Sequence, residues 1–215
     1  MMKNSDFVIR LDLGRVVVDV TLGDWSRTGC PDDPDYAIRA FWQSPDKQAV
    51  DIGRQLPEVR LQRMVDDDRL LLATLAEARR SWQSMFRSIR GSEASIRWLL
   101  QTFPVWIATD TDSFHFSYII ERWPILTDAE RAFVSYELGA TKSEPGFFEA
   151  VIDASTLVAE CLVLIDDRAV NCERAVSLGM QAIEFQDWPQ AQADLASITV
   201  VGSDASLKAQ NSTSC

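Results

Sequence analysis

Histidine is nearly absent from this 215-residue chain: His115 stands alone, which excludes a zinc site built from several imidazoles. The four cysteines, Cys30, Cys161, Cys172 and Cys215, form no C-x-x-C pair, so a zinc ribbon or a redox couple is disfavoured. No run approaches 18 apolar residues, and the opening MMKNSDFVIR carries no apolar signal core. Basic residues are in deficit, with 21 Lys and Arg against 32 Asp and Glu and a net charge of -11. A field of that sign disfavours nucleic acid and anionic membrane as partners. The 47% hydrophobic and 25% charged residues instead fit a folded globular chain. We expect a cytoplasmic protein with reduced thiols and a small-molecule partner. No oligomeric state follows from these features.

The charge that is present is unevenly placed. Residues 21–98 hold 12 acidic and 12 basic side chains, while the remaining 137 residues hold 20 acidic and 9 basic ones. A neutral stretch inside an acidic chain suggests an inserted module. Outside it, short aliphatic runs end in polar groups. Phe7 to Leu11 meets Asp12, Val105 to Ala108 meets Thr109-Asp110, and Leu162 to Ile165 meets Asp166-Asp167. Such runs suit strands buried on both faces of a parallel sheet. Segments of helical spacing lie between them, around Ile96-Leu99-Leu100, Phe147-Phe148-Val151-Ile152 and Ala175-Val176-Leu178, the last closed by Gly179. Met180 to Phe185 reads as one more strand. The pattern predicts an α/β fold, a doubly wound, Rossmann-like parallel sheet over residues 1–20 and 99–203. Residues 21–98 lack β-branched runs and read as an all-helical insertion of three to five helices. Residues 204–215 read as a frayed tail.

Ligands of an open α/β sheet bind beyond the carboxyl ends of its strands. Asp12, Thr109, Asp110, Asp166 and Asp167 all fall there. Each alone can be a helix cap. Gathered on one edge, the carboxylates repel one another unless a cation sits among them, and an all-oxygen set favours Mg2+ over zinc.

Four segments, taken in order, resemble the motifs of the haloacid dehalogenase (HAD) superfamily. They are Asp12-Leu13-Gly14-Arg15-Val16-Val17-Val18-Asp19, Ala108-Thr109-Asp110, Lys142 within Glu137 to Pro145, and Ile165-Asp166-Asp167 through Asn171. Gly14, Thr109 to His115 and Trp82 to Arg90 are similar to the glucose-1-phosphate phosphatase-like branch, which has a helical cap where residues 21–98 stand. The resemblance implies a Mg2+-dependent phosphatase of a small phosphorylated metabolite, with a sugar phosphate among the candidates. Asp12 would be the nucleophile, and Asp12, the Gly14 carbonyl, Asp167 and Asp166 would surround the metal. Thr109, Lys142, Asp110 and Arg15 would contact the substrate, helped by backbone N–H groups near Gly14. Gly14 departs from the many relatives that carry a second Asp there as general acid and base. Arg15 could grip phosphate, block the mouth or pair with a nearby carboxylate.

Two alternatives remain open at this level. In a dehalogenase proper, Asp12 would attack carbon without metal, and the Asp166-Asp167 pair argues against that. A catalytically degenerate member would act only as a binding protein. Residues 21–98 also contain 11 of the 17 arginines, and we expect some of them to face the cleft and attract an anionic substrate.

Overall fold

In the computed structural model the described residues are 3–21, 33, 36, 42 and 44–211, with side chains as far as Val200 and without that of Pro45. The first half runs β1 (Val8–Leu11), β2 (Val18–Val20), α1 (Pro45–Asp51), α2 (Pro57–Val65), α3 (Leu75–Gln83), β3 (Phe86–Ser88) and α4 (Ser92–Thr102). The second runs β4 (Val105–Thr109), α5 (Ser113–Arg122), β5 (Arg131–Val134), α6 (Ser135–Leu138), α7 (Phe147–Asp153), β6 (Leu162–Asp166), α8 (Ala169–Ser177), β7 (Gln181–Glu184) and α9 (Trp188–Asn211).

Five strands form one parallel sheet in the order β5-β4-β1-β6-β7. The alternation of side chains along its central strands decides what packs where. Ile9, Leu11, Ile107, Val163 and Ile165 face Ile96 and Leu99 of α4, Ile119 of α5 and Leu195 of α9. Val8, Trp106, Ala108, Leu162 and Leu164 face Phe147, Phe148 and Val151 of α7 and Ala175 of α8. The result is a helix–sheet–helix sandwich, the doubly wound class expected. Burial of each large aliphatic side chain contributes about 1.5–3 kcal/mol before chain entropy is counted. Arg10 interrupts this pattern on β1. Its guanidinium lies 3.7 Å from the Trp106 ring centre, and burial, with Arg131 nearby, pulls its pKa down to about 9.

The insertion has a separate apolar cluster. Val50, Leu61, Met64, Leu70, Leu72, Ala78, Trp82 and Met85 pack together, with Val20 and Phe114 against them. Local chemistry sets its helices. Ser44 caps α1 by accepting from the Asp46 N–H, prolines open α1 and α2, and Thr74 with Glu77 forms a capping box on α3.

Three expectations need correction. Residues 86–88 are a strand, so the insertion is not wholly helical. β3 pairs antiparallel with β2, Val18 opposite Ser88 and Val20 opposite Phe86. The chain leaves and re-enters the sheet side by side there, and pairing satisfies both backbones. The boundary expected at residue 98 falls inside α4, which begins after Gly91 in the left-handed region (φ 82°). The balanced charges of residues 92–98 belong to its outer face, where Arg97 pairs with Glu93 at 3.0 Å. Finally, α9 continues to Asn211, so residues 204–211 of the expected tail are helical in backbone.

Candidate active site

Register brings the acidic groups together. Leu11 stands opposite Ile107 of β4 and Ile165 of β6, so Asp12, Thr109 and Asp166 emerge at the same edge. The Asp12 N–H donates to the Ile165 carbonyl at 3.0 Å, holding the first turn beyond β1 against β6. Carboxylate oxygens of Asp12, Asp166 and Asp167 lie within 4.8 Å of one another. The third motif supplies the counter-charge. Lys142 Nζ is 2.7 Å from Asp12 Oδ1 and 2.5 Å from Asp166 Oδ2, and the side chain is 2% exposed.

Each member is fixed from behind. The Lys142 N–H donates to Asp110 Oδ1 at 2.8 Å, so Asp110 anchors the lysine loop. Asp166 Oδ1 accepts from the Arg168 N–H at 3.0 Å and from Asn171 Nδ2 at 2.8 Å. With Lys142 on Oδ2, both Asp166 oxygens are engaged by protein donors. Asp167 is less enclosed and lies 3.8 Å from Arg15 Nη1; the Arg15 side chain is 68% exposed. Arg15 itself adopts φ 59°, and its N–H donates to the Val18 carbonyl at 2.6 Å, so this one of the backbone donors near Gly14 is committed to the turn.

The electrostatics follow from this crowding. Burial raises the Asp12 carboxyl, Lys142 opposes that, and Asp166 and Asp110 add to it, so it is held above the ordinary carboxylate range. Burial likewise raises Asp110 and Asp167, in both cases with Asp166 adding repulsion. Lys142 is held above the ordinary lysine range: burial works against its charge, but Asp12, Asp166 and Asp110 outweigh burial. One lysine among four carboxyl groups leaves the edge short of positive charge. The donors are oxygens alone, which fits a hard divalent cation.

A cleft of about 770 Å³ opens on this edge, lined by Asp12, Gly14, Arg15, Thr109, Asp110, Lys142 and Asp167 among others. Every site residue expected from the sequence lines this cleft except Asp166, which joins the carboxylate cluster without lining the cleft. Asp112 caps a helix, accepting from the Phe114 and His115 N–H groups at the start of α5. His115 is buried beside it, with Nδ1 3.0 Å from both an Asp112 oxygen and the Trp82 indole nitrogen, so it ties α3 to α5. Cys172 is no nucleophile, since burial pushes its thiol up to about 12.

The arginine expectation fails among the described residues: no arginine of residues 21–98 lines this cleft, and Arg27 and Arg39 lie outside the described residues. Arg63 pairs with Asp46, Arg69 with Asp67, and Arg79 sits 4.0 Å from the Phe114 ring centre. Among the described residues, the insertion contributes Trp42, Ser44, Lys47, Gln48 and Asp51 to the lining, none of which sequence reasoning found. Their only signal is a Lys47–Asp51 spacing of four on α1.

No protein-family model matches the chain. A D-ribitol-5-phosphate phosphatase from Bacteroides thetaiotaomicron is 23% identical over 204 residues, spanning 88% of this chain and 96% of its own. A HAD family enzyme from the same species, crystallised with magnesium and inorganic phosphate, superposes with a TM-score of 0.66 at 18% identity, over 85% of this chain and 96% of that one. A HAD-like family hydrolase from Porphyromonas gingivalis superposes with a TM-score of 0.70 at 17% identity, over 88% and 97%.

Proposed function

From the haloacid dehalogenase fold that this chain has, we propose that it is a Mg2+-dependent phosphatase of a small phosphorylated metabolite, with Asp12 as nucleophile. One observation carries the reading: a buried Asp12 held 2.7 Å from Lys142 on the edge where Thr109 and Asp167 line the same cleft. An Asp12 oxygen attacks phosphorus, the new O–P bond forms, and the ester P–O bond breaks. The leaving alkoxide takes a proton from solvent, because Gly14 brings no acid. Water then attacks phosphorus, the acyl-phosphate O–P bond breaks, and Asp12 returns as a carboxylate beside inorganic phosphate.

Lys142 keeps its charge through both steps and offsets that of Asp12 and of the phosphoryl oxygens. Thr109 donates its hydroxyl to a phosphoryl oxygen. Asp12, Asp167 and the Gly14 carbonyl would hold Mg2+, whose charge would let an anionic nucleophile meet an anionic ester. Asp166, with both oxygens engaged, orients Lys142 from just outside that set. Arg15 stands at the mouth, where an exposed pair with Asp167 contributes little to stability. The segment from residue 21 to β3 acts as the cap, and the ribbon of β2 and β3 is its stem.

The relative's name makes D-ribitol 5-phosphate the first ester to try. Among the described residues no helix is long and apolar enough to cross a membrane, and Cys161 and Cys172 are free thiols, which fits a cytoplasmic setting. Phosphate release from a panel of phosphomonoesters with Mg2+, compared between the native chain and Asp12→Asn, tests the proposal. Release only from the native chain is expected. Equal release from both would remove Asp12 from its role, and turnover of 2-chloropropionate in EDTA would favour the dehalogenase reading.

A further inference from the structure

We infer that Lys47 and Asp51 of α1, with the indole of Trp42, form a subsite for an uncharged, polyhydroxylated leaving group; this rests on the phosphatase reading above. The three line the same cleft as Asp12 and Thr109. Lys47 Nζ donates to Asp51 Oδ2, and both side chains are largely enclosed, at 20% and 13% exposure.

The pair is poorly placed for holding the helix together. Lys47 lies in the first turn of α1 and Asp51 is its last residue, so each charge sits at the helix end whose dipole opposes it. The order Lys then Asp at a spacing of four is also the weaker of the two orders. Its chemistry suits a ligand better. Asp51 Oδ1 is itself buried and receives no hydrogen bond from any described group, so its acceptor capacity is unfilled. Lys47 has further N–H donors beyond the one given to Asp51.

The pair is neutral as a whole, and Ser44 and Gln48 beside it carry no charge. A second phosphate or a carboxylate on the leaving group would meet on α1 only a lysine already paired with Asp51. An apolar leaving group would leave the remaining Lys47 N–H donors without an acceptor, a costly loss. A chain of hydroxyls both donates and accepts, and its C–H faces pack on an indole. Those properties together describe a polyol or an open-chain sugar.

The experiment uses the full chain with Mg2+. The ratio of kcat/KM for D-ribitol 5-phosphate to that for acetyl phosphate, which has no leaving-group hydroxyl, is measured in the native protein, Lys47→Met and Asp51→Asn. A fall in this ratio of about 10- to 100-fold in each variant is expected, the usual scale for losing a charged partner of a hydroxyl. Equal losses on both esters would overturn the subsite. Saturation-transfer NMR with free ribitol needs no turnover: transfer to the native chain that disappears in both variants supports the subsite even if neither ester is hydrolysed, in which case only the phosphatase reading fails. Absent transfer to the native chain, or transfer unchanged in the variants, would refute it.

Discussion

Lys142 shows how a single residue can be legible in sequence and yet gain its meaning only from contacts. Its place after Gly139 and before Pro145, third in a series of four motifs, was readable. Its 2% exposure and its two carboxylate partners were not, because they depend on β1 and β6 meeting side by side. Lys142→Met would leave Asp12 and Asp166 adjacent without their cation, and breaking such a buried pair typically costs about 3–5 kcal/mol. We expect kcat to fall about 100- to 1000-fold. The drop in Tm should be larger in EDTA than in Mg2+, because the cation replaces part of the lost charge. A Tm indifferent to Mg2+ in both proteins would argue against metal at Asp12 and Asp167. Gly14 offers the opposite test. A Cβ built there meets only Val20 Cγ2, at an ordinary 3.5 Å, so backbone and space both admit a side chain. Gly14→Asp should fold normally and supply the absent acid, raising rates on esters with poor leaving groups by about 100-fold or more while good ones change little. A leaving-group series measured on both proteins would reveal it, and parallel slopes would contradict the solvent-proton step.

At the scale of elements, strand ends and helix caps follow from local chemistry, whereas short pieces paired at a distance do not. β1, β4 and β6 are continuous aliphatic runs and were legible. β3 was not, because Met85, Phe86 and Ile89 have helical spacing and only pairing with β2, about 68 residues earlier, overrides it. β5 escaped for the same reason, a four-residue edge strand with two exposed positions. Asp110 and Asp112 are two residues apart beyond β4, and only the contacts divide their roles. Asp112 starts α5, while Asp110 holds the Lys142 loop. Burial works to raise the Asp112 carboxyl, but the charge and hydrogen bonds of His115 outweigh it and hold the group below its ordinary range. A carboxyl lowered on folding contributes stability that is present above the unfolded carboxylate pKa and is lost as the pH falls through the folded value. Asp112→Ala should therefore cost about 1–2 kcal/mol near neutrality, several degrees in Tm. That gap should narrow as the pH drops below about 4, where the native carboxyl also protonates. Thermal melts of both proteins from pH 7 to 3 give the answer, and a gap that widens toward acid would contradict it.

For the molecule as a whole, the question is how the insertion is held over the sheet edge. Charge balance marked the insertion in the sequence but misassigned its role. None of its described arginines lines the cleft, where the positive side chains are Arg15, Lys47, Lys142 and Arg168. Arg63→Ala and Arg69→Ala should accordingly leave KM unchanged. What the sequence could not convey is the contact that seats α1, because it is made by a backbone. Gly53 follows α1 with φ 69°, and a Cβ built there would lie 2.1 Å from the Tyr136 carbonyl oxygen of α6. That oxygen belongs to main chain and cannot swing aside, so Gly53→Ala must move α1 away from α6 as well as strain its own backbone. The carboxylate edge with Asp12 and Asp167 sits on the sheet and should not follow. Lys47 and Asp51 ride on α1 and should. The expected result is a fall of about tenfold or more in kcat/KM for a polyol phosphate, with the Mg2+-dependent rise in Tm preserved. If both quantities fell together, the seat of α1 and the metal edge would be one mechanical unit; if neither moved, the cap would reach its working position without the Gly53–Tyr136 contact.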